Sequence, residues 1–299
     1  MRIRTGWSAP LLAAAVLAGC AAADGGPSPA GPADAPTGAP AGDAPATDAP
    51  AADPAATAVV HLVRSGPTAF LVEPVPAAVP LDAPDGDDAA SRVARAVAAL
   101  LAVVDPADPD LATSVPPGTL VRDVVLEGDV VVLDLGGALA GSSGGSAEEA
   151  TLAQQLAHTV LAAAPDTTGV RVLVDGAPVA SLWGHLDWSV PLVADPFALS
   201  PVTIVTPPHG ATPPQGPVTV SGLATVFEGT VLVRLERADG TVLEEGFVTA
   251  TEGGPGRGTW TWTVVLPEPG EYRLVAGASD PSDGEGPPPF EVARTVTAG

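Results

Sequence analysis

Between residues 21 and 57 the chain contains no leucine, isoleucine, valine or aromatic residue. Alanine, proline, glycine, aspartate, serine and threonine fill the stretch, and such a segment cannot bury enough apolar surface to offset the entropy of ordering it. The sequence therefore predicts a disordered spacer here, and every folded part has to be built from residue 58 onward. A coil of this length averages about 35 Å end to end, and its prolines and mutually repelling aspartates stretch it further. Cys20, just before the spacer, is the sole cysteine. No disulfide is available, so the folded parts must stand on their hydrophobic cores.

From residue 58 the pattern changes. Residues 59–63 and 70–75 read as strands. Val93, Val97, Leu100, Leu101 and Val104 recur at helical spacing, with Asp87 or Asp88 as the cap and Asp105-Pro106 as the stop. Residues 120–126 and 130–135 are strands joined by a Glu127-Gly128-Asp129 turn. A Gly/Ser loop over 136–145 leads into a second helix. Ser146 with Glu149 reads as its capping box, and Leu152, Ala153, Leu156 and Val160 form its apolar stripe. Residues 170–174 form one more strand, closed by Asp175-Gly176. Uneven alternation of strands and helices with one strong hairpin predicts an α+β domain over residues 58–190.

After Pro191 the helical period disappears. Seven short strands, at 202–206, 218–224, 231–235, 242–248, 259–265, 272–276 and 292–296, are separated by Gly/Pro/Asp turns. That spacing predicts an immunoglobulin-like β-sandwich over residues 199–299, following a linker around Ala194-Asp195-Pro196.

The net charge is −23, with no lysine. Without Arg2 and Arg4 the remaining 10 arginines face 35 aspartates and glutamates, which brings the charge to about −25. Phosphate backbones would repel this surface, which argues against nucleic acid as a partner.

The residues that could carry chemistry have ordinary readings. Gly141-Ser142-Ser143-Gly144-Gly145 has the Gly-x-Ser-x-Gly spacing of a nucleophile elbow but sits in a long flexible loop. His61, His158, His185 and His209 show no metal-ligand spacing. His158 lies opposite the apolar stripe of its helix, which predicts a solvated position. Residues 280–285 form an acidic turn that lacks the alternating oxygen positions of a calcium loop. Trp260 and Trp262 share one strand face and are expected in the sandwich core. Trp183 and Trp188, between the domains, either glue the junction or form an exposed patch, and junction packing is the first choice. No catalytic, cofactor-binding or metal-binding residue is assigned.

The N-terminus reads as an export signal. Arg2 and Arg4 precede an apolar run over residues 9–18, too short to span a bilayer that needs about 20 helical residues. Leu17-Ala18-Gly19-Cys20 resembles the lipobox of bacterial lipoproteins; the rival reading is an ordinary secretory signal with a chance cysteine. The lipobox implies removal of residues 1–19, lipidation of Cys20, and a chain held at the extracytoplasmic face of the cell membrane by a lipid anchor. Residues 20–57 are then its lipidated N-terminus and spacer.

Two further resemblances cover the folded chain. The opening strand at 59–63, the Val115-Pro116-Pro117-Gly118-Thr119 turn, Val130-Val131 with Leu133-Asp134-Leu135, the helix around Gln154-Gln155-Leu156-Ala157-His158 and Val170 to Gly176 resemble a GerMN domain of sporulation and germination. Val218-Thr219-Val220-Ser221-Gly222-Leu223-Ala224, Phe227-Glu228-Gly229 and Gly258-Thr259-Trp260 are similar to Gmad2, an immunoglobulin-like domain. The resemblance implies a non-catalytic cell-envelope binding or assembly protein, linked to sporulation, germination or envelope signalling, with an unidentified envelope protein partner and no cofactor. The rival class is a glycan- or solute-binding surface lipoprotein. An exposed tryptophan platform or a deep polar pocket would favour the rival, and an unpaired sheet edge would favour assembly. An enzyme is the third class, since no nucleophile–base set can be assembled.

Overall fold

The computed structural model describes residues 57–65, 70–279, 285 and 288–299. The residues read as an export signal, Cys20 and residues 21–56 of the predicted spacer, together with nearly all of the acidic turn at 280–285, lie outside the described residues, while Thr57, read as the end of the spacer, opens β1.

Two antiparallel strands open the first domain. β1 (Thr57–Ser65) pairs with β2 (Phe70–Ala78) in continuous register from Thr57↔Ala78 to Ser65↔Phe70, and the short β3 (Leu111–Ala112) adds to the other side of β1. Between them runs α1 (Ala89–Ala102), capped by Asp88, whose side chain accepts from the Ser91 N–H at 3.0 Å. Val93, Val97 and Leu100 are fully buried, as their spacing predicts. The helix stops at Ala102, so Val104, expected on its stripe, lies past the last turn and is exposed.

β4 (Thr119–Glu127) and β5 (Val130–Gly137) form the predicted hairpin, with Gly128 at φ +66° supplying the turn. β6 (Gly169–Val174) runs parallel to β5, which requires a crossover, and α2 (Ser146–Ala163) provides it. β7 (Ala177–Pro178) folds back after the turn at Asp175 and Gly176, giving a sheet ordered β4-β5-β6-β7.

α2 differs from its sequence reading in two respects. Its N-cap is Gly145, whose N–H donates to Glu148 Oε2 at 2.9 Å, so the capping carboxylate is one residue earlier than expected. The helix is also buried on more than its apolar stripe. Gln155 and Thr159, one turn apart, face β1. Gln155 Nε2 donates to the His61 carbonyl, and the His61 N–H donates to Thr159 Oγ1, both at 2.9 Å. The face read as solvated therefore packs against a strand, and His158 is buried with it.

All seven predicted strands of the second domain are present: β8 (Val202–Thr206), β9 (Gly216–Ala224), β10 (Thr230–Arg237), β11 (Val242–Thr249), β12 (Gly258–Leu266), β13 (Gly270–Ala278) and β14 (Glu291–Ala298). They form two sheets, β11-β10-β13-β14 and β12-β9-β8, that enclose one core, the sandwich expected from the alternating pattern. Trp260 and Trp262 are in that core. Gly222 stands opposite Trp260 in the β9–β12 register, and a Cβ there would collide with the Thr203 carbonyl and the Trp260 ring. That close approach explains the glycine in the middle of a strand.

Trp183 and Trp188 belong to the core of the first domain and not to the junction. Trp188 is fully buried, and Trp183 packs against the same cluster while its Nε1 donates to Ser142 Oγ at 2.9 Å.

Candidate functional site

The two domains meet through charge. Arg64 is the last residue but one of β1, Glu73 lies on β2, Asp108 on the loop after α1, and Arg294 on β14. Arg64 Nη2 donates to Glu73 Oε1 at 2.9 Å and to Asp108 Oδ2 at 2.6 Å. Arg294 Nη2 donates to the same Glu73 oxygen at 3.0 Å, and its Nη1 donates to the same Asp108 oxygen. Two guanidinium groups and two carboxylates thus alternate around a closed square, all four buried. Burial by itself pulls the Arg64 guanidinium down, but Glu73 and Asp108 hold its pKa above the ordinary value. Burial raises the Asp108 carboxyl, and Arg64, the Asp110 N–H and Arg294 more than reverse it.

Beside this square the connecting segment is pinned to the first domain. The Ser200 N–H donates to the Val72 carbonyl at 2.9 Å, and the Asp195 N–H donates to Gln154 Oε1 at 2.8 Å. The His61 and His158 rings lie with centroids 5.3 Å apart, tilted 35° to each other, and His158 Nε2 lies 2.9 Å from the Asp195 carbonyl. Arg257 of the second domain reaches into the same region, donating to the Ser200 carbonyl and to Thr225 Oγ1. Desolvation, then the neighbouring His158 and Arg257, push His61 down to about 3.

A cleft of about 410 Å³ opens above the square, walled by Leu62, Val75, Val103 and Ile204, with Arg294 and His209 at its polar end. No aromatic side chain other than the His209 imidazole lines it. Its charged floor is already paired internally, so the cleft presents an aliphatic wall and few free polar groups. A second groove, of about 590 Å³, runs between the alanine face of α1 and the outer edge of β4.

Each of the four sheets ends in two edge strands, and β4 in the first domain and β11 in the second are two of the long ones. β4 has a bulge at Arg122, which pairs with Asp134 and Asp175. β11 is exposed along nearly its whole length.

Other sequence candidates fall elsewhere. Ser143 is exposed in the loop before α2. Glu149, read as a capping residue, is a buried carboxylate that accepts from the N–H groups of Leu182, Trp183 and His185 and from Ser181 Oγ. Burial raises its pKa, and those four donors bring it below the usual carboxylate range. His185 is exposed, and His209 Nδ1 lies 3.8 Å from Asp108 Oδ1. Among the described residues no group of three or more His, Cys, Asp or Glu side chains is placed to hold a metal ion, and no helix is long and apolar enough to cross a membrane. The sequence reading missed the charge square. Its trace was Arg294, which takes the inward position of a strand otherwise alternating Val292, Val296 and Ala298.

Residues 70–180 match the family model described as Germane, sporulation and spore germination, and residues 201–285 match Gmad2, the immunoglobulin-like domain of bacterial spore germination. No curated protein matches the chain significantly. Among solved structures, a candidate lipoprotein from Clostridium perfringens is 19% identical, covering 46% of this chain and 87% of its own, with a TM-score of 0.33. A Caenorhabditis elegans protein of the MSP family, WR4, is 16% identical over 33% of this chain and 99% of its own, with a TM-score of 0.21.

Proposed function

Because the chain carries a Germane domain followed by a Gmad2 domain, we propose that it is a non-catalytic binding and assembly protein of the cell envelope. In this reading Cys20 is lipidated, the spacer lifts the folded region off the extracytoplasmic face of the membrane, and the two domains capture an envelope protein in sporulation, germination or envelope signalling. The observation that carries the reading is the presence of long open edge strands, β4 and β11 among them, on two domains locked together by the Arg64–Glu73–Asp108–Arg294 square. A rigid body with open edges is suited to strand addition by a partner.

The rival glycan- or solute-binding reading has less support. Trp188, Trp260 and Trp262 are buried and Trp183 is half-buried, so none of these four offers a stacking platform for a sugar. The junction cleft is aliphatic, and its charges neutralise one another. Crosslinking in intact membranes followed by mass spectrometry tests the proposal. A reproducible envelope protein joined to residues on either open edge supports it. Hydrolysis of an envelope substrate by the purified chain, lost in Ser143→Ala, would overturn it.

A further inference from the structure

We propose that the free edge of β11 is the docking site for an extended basic segment of a partner protein, which adds to the four-stranded sheet as a fifth strand. The proposal rests on the binding-protein reading above and specifies the chemistry of the partner.

β11 hydrogen-bonds to β10 on one side only. Of its eight residues only Val248 is even half-buried. Its outer face presents Phe247, 69% exposed, directly across from Leu232, 42% exposed. An accessible aromatic beside an accessible aliphatic residue is the composition of an interface anchor. On the inner side Gly246 leaves a gap, since a Cβ there would meet nothing within 4 Å.

Edges that must stay free are usually guarded by lysine, proline, an inward charge or a bulge. β11 has neither lysine nor proline. Its guards, the inward-facing Glu244 and the register shift opposite Leu235 and Glu236, sit at one end. From Glu245 to Thr249 the strand is regular and open.

The charges select the occupant. Glu244 and Glu245 are the only charged residues on β11. Across the strand from Glu245, Arg234 is already held by Glu236 and Glu291. A second copy pairing edge to edge would bring four glutamates together on chains of charge −23. The chain's own residues 21–57 carry no charged side chain other than aspartate, so they are repelled as well. A basic strand meets none of this opposition. The register asks for two adjacent basic residues facing Glu244 and Glu245, next to a bulky apolar residue over Gly246 and an apolar residue beside Phe247.

The test uses the full-length chain and two capped seven-residue peptides, one with two adjacent valines followed by two adjacent lysines, the other with glutamates in place of the lysines. Binding is read by titration, and its location by hydrogen–deuterium exchange. The lysine peptide is expected to slow exchange across residues 242–249 and to bind about five- to tenfold more tightly than the glutamate peptide at low salt, a preference that shrinks as salt is added. Glu244→Lys with Glu245→Lys should reverse the preference, and Phe247→Ser should weaken both peptides. Protection of the β4 edge in place of β11 would overturn the assignment to β11 while leaving the binding-protein reading standing. Equal binding of both peptides, no response to the charge reversal, or no protection by the lysine peptide would overturn the proposal itself.

Discussion

Arg294, in the last strand of the sandwich, donates to Glu73 in the second strand of the chain at 3.0 Å, across 221 positions of sequence, with both side chains buried. A buried ion pair contributes little net stability, but removing one partner leaves an uncompensated charge in a dry site. Glu73 serves two cations at once, Arg64 and Arg294. Glu73→Ala is therefore expected to destabilise the chain by about 3–5 kcal/mol, read as a lower urea midpoint. A change below about 1 kcal/mol would mean that the site is hydrated and the charges are screened.

The same square bears on how independently the sandwich folds. A fragment of residues 199–299 keeps its own core around Trp260, Tyr272 and Leu274 but loses Glu73 and Asp108 as partners for Arg294. It is expected to give a β-type circular dichroism spectrum and a cooperative melt at a lower temperature than the full chain. Arg294→Met should cost far less in the fragment than in the full chain, because in the fragment the guanidinium faces water. An unfolded fragment that orders only on adding residues 58–190 would mean the two cores form as one unit.

The fold was legible where order is local. In the second domain, alternation along each strand and Gly/Pro/Asp turns between strands located all seven, because one-face burial in a sandwich writes a period of two directly into sequence. A cap at Asp87 or Asp88, which proves to be Asp88, and Gly128 as a turn followed from single-residue backbone chemistry. What stayed hidden depends on pairings that sequence does not encode locally. Arg64, Glu73, Asp108 and Arg294 come from four separate segments. His158 looked solvated because its helix has one strong apolar stripe, and nothing local shows that β1 lies against the other side. Glu149 matched a capping pattern that Glu148 fulfils, and its real partners are more than thirty residues downstream.

Glu149 organises the segment carrying Trp183. Its carboxylate accepts from Ser181, Leu182, Trp183 and His185, and only an acceptor fits. Glu149→Gln would turn an amide N–H₂ toward backbone donors, at a cost of about 2–3 kcal/mol. Trp183 should become more exposed, so its fluorescence is expected to shift to the red while far-ultraviolet circular dichroism stays unchanged. An unshifted spectrum with unchanged stability would show that the loop is held by other contacts.

In the proposed reading, anchoring is decided at Cys20, which lies outside the described residues. Each acyl CH₂ buried in a bilayer adds about 0.8 kcal/mol, so several chains retain a protein that a short apolar remnant cannot. Cys20→Ala is expected to release the chain from membranes on carbonate washing. Equal retention of the variant and the natural chain would rule out the lipid anchor.

The histidine pair makes stability depend on pH in a predictable direction. His61, on β1, is buried against His158 with Arg257 nearby, and desolvation with those two groups lowers it from 6.5 to about 3. His158 is lowered as well, by desolvation and Arg257, against the pull of the Asp195 carbonyl. In the unfolded chain both rings take up protons near pH 6.5. Below that pH the unfolded state binds more protons than the native state, so stability falls with falling pH until the folded pKa is reached. For His61 alone the loss between pH 7 and pH 5 comes to about 2 kcal/mol, and His158 adds in the same direction. Asp108 and Glu149 have lowered folded values, so their contribution is lost only below about pH 4, the range in which unfolded carboxylates titrate, and the window stays clear. His61→Phe keeps the ring and the backbone bonds to Gln155 and Thr159 but removes the proton site. Urea midpoints at pH 7 and pH 5 should therefore differ less in the variant than in the natural chain, by roughly the His61 share. An equal drop in both proteins would place the pH sensitivity elsewhere, and a natural chain more stable at pH 5 than at pH 7 would contradict the buried neutral pair outright.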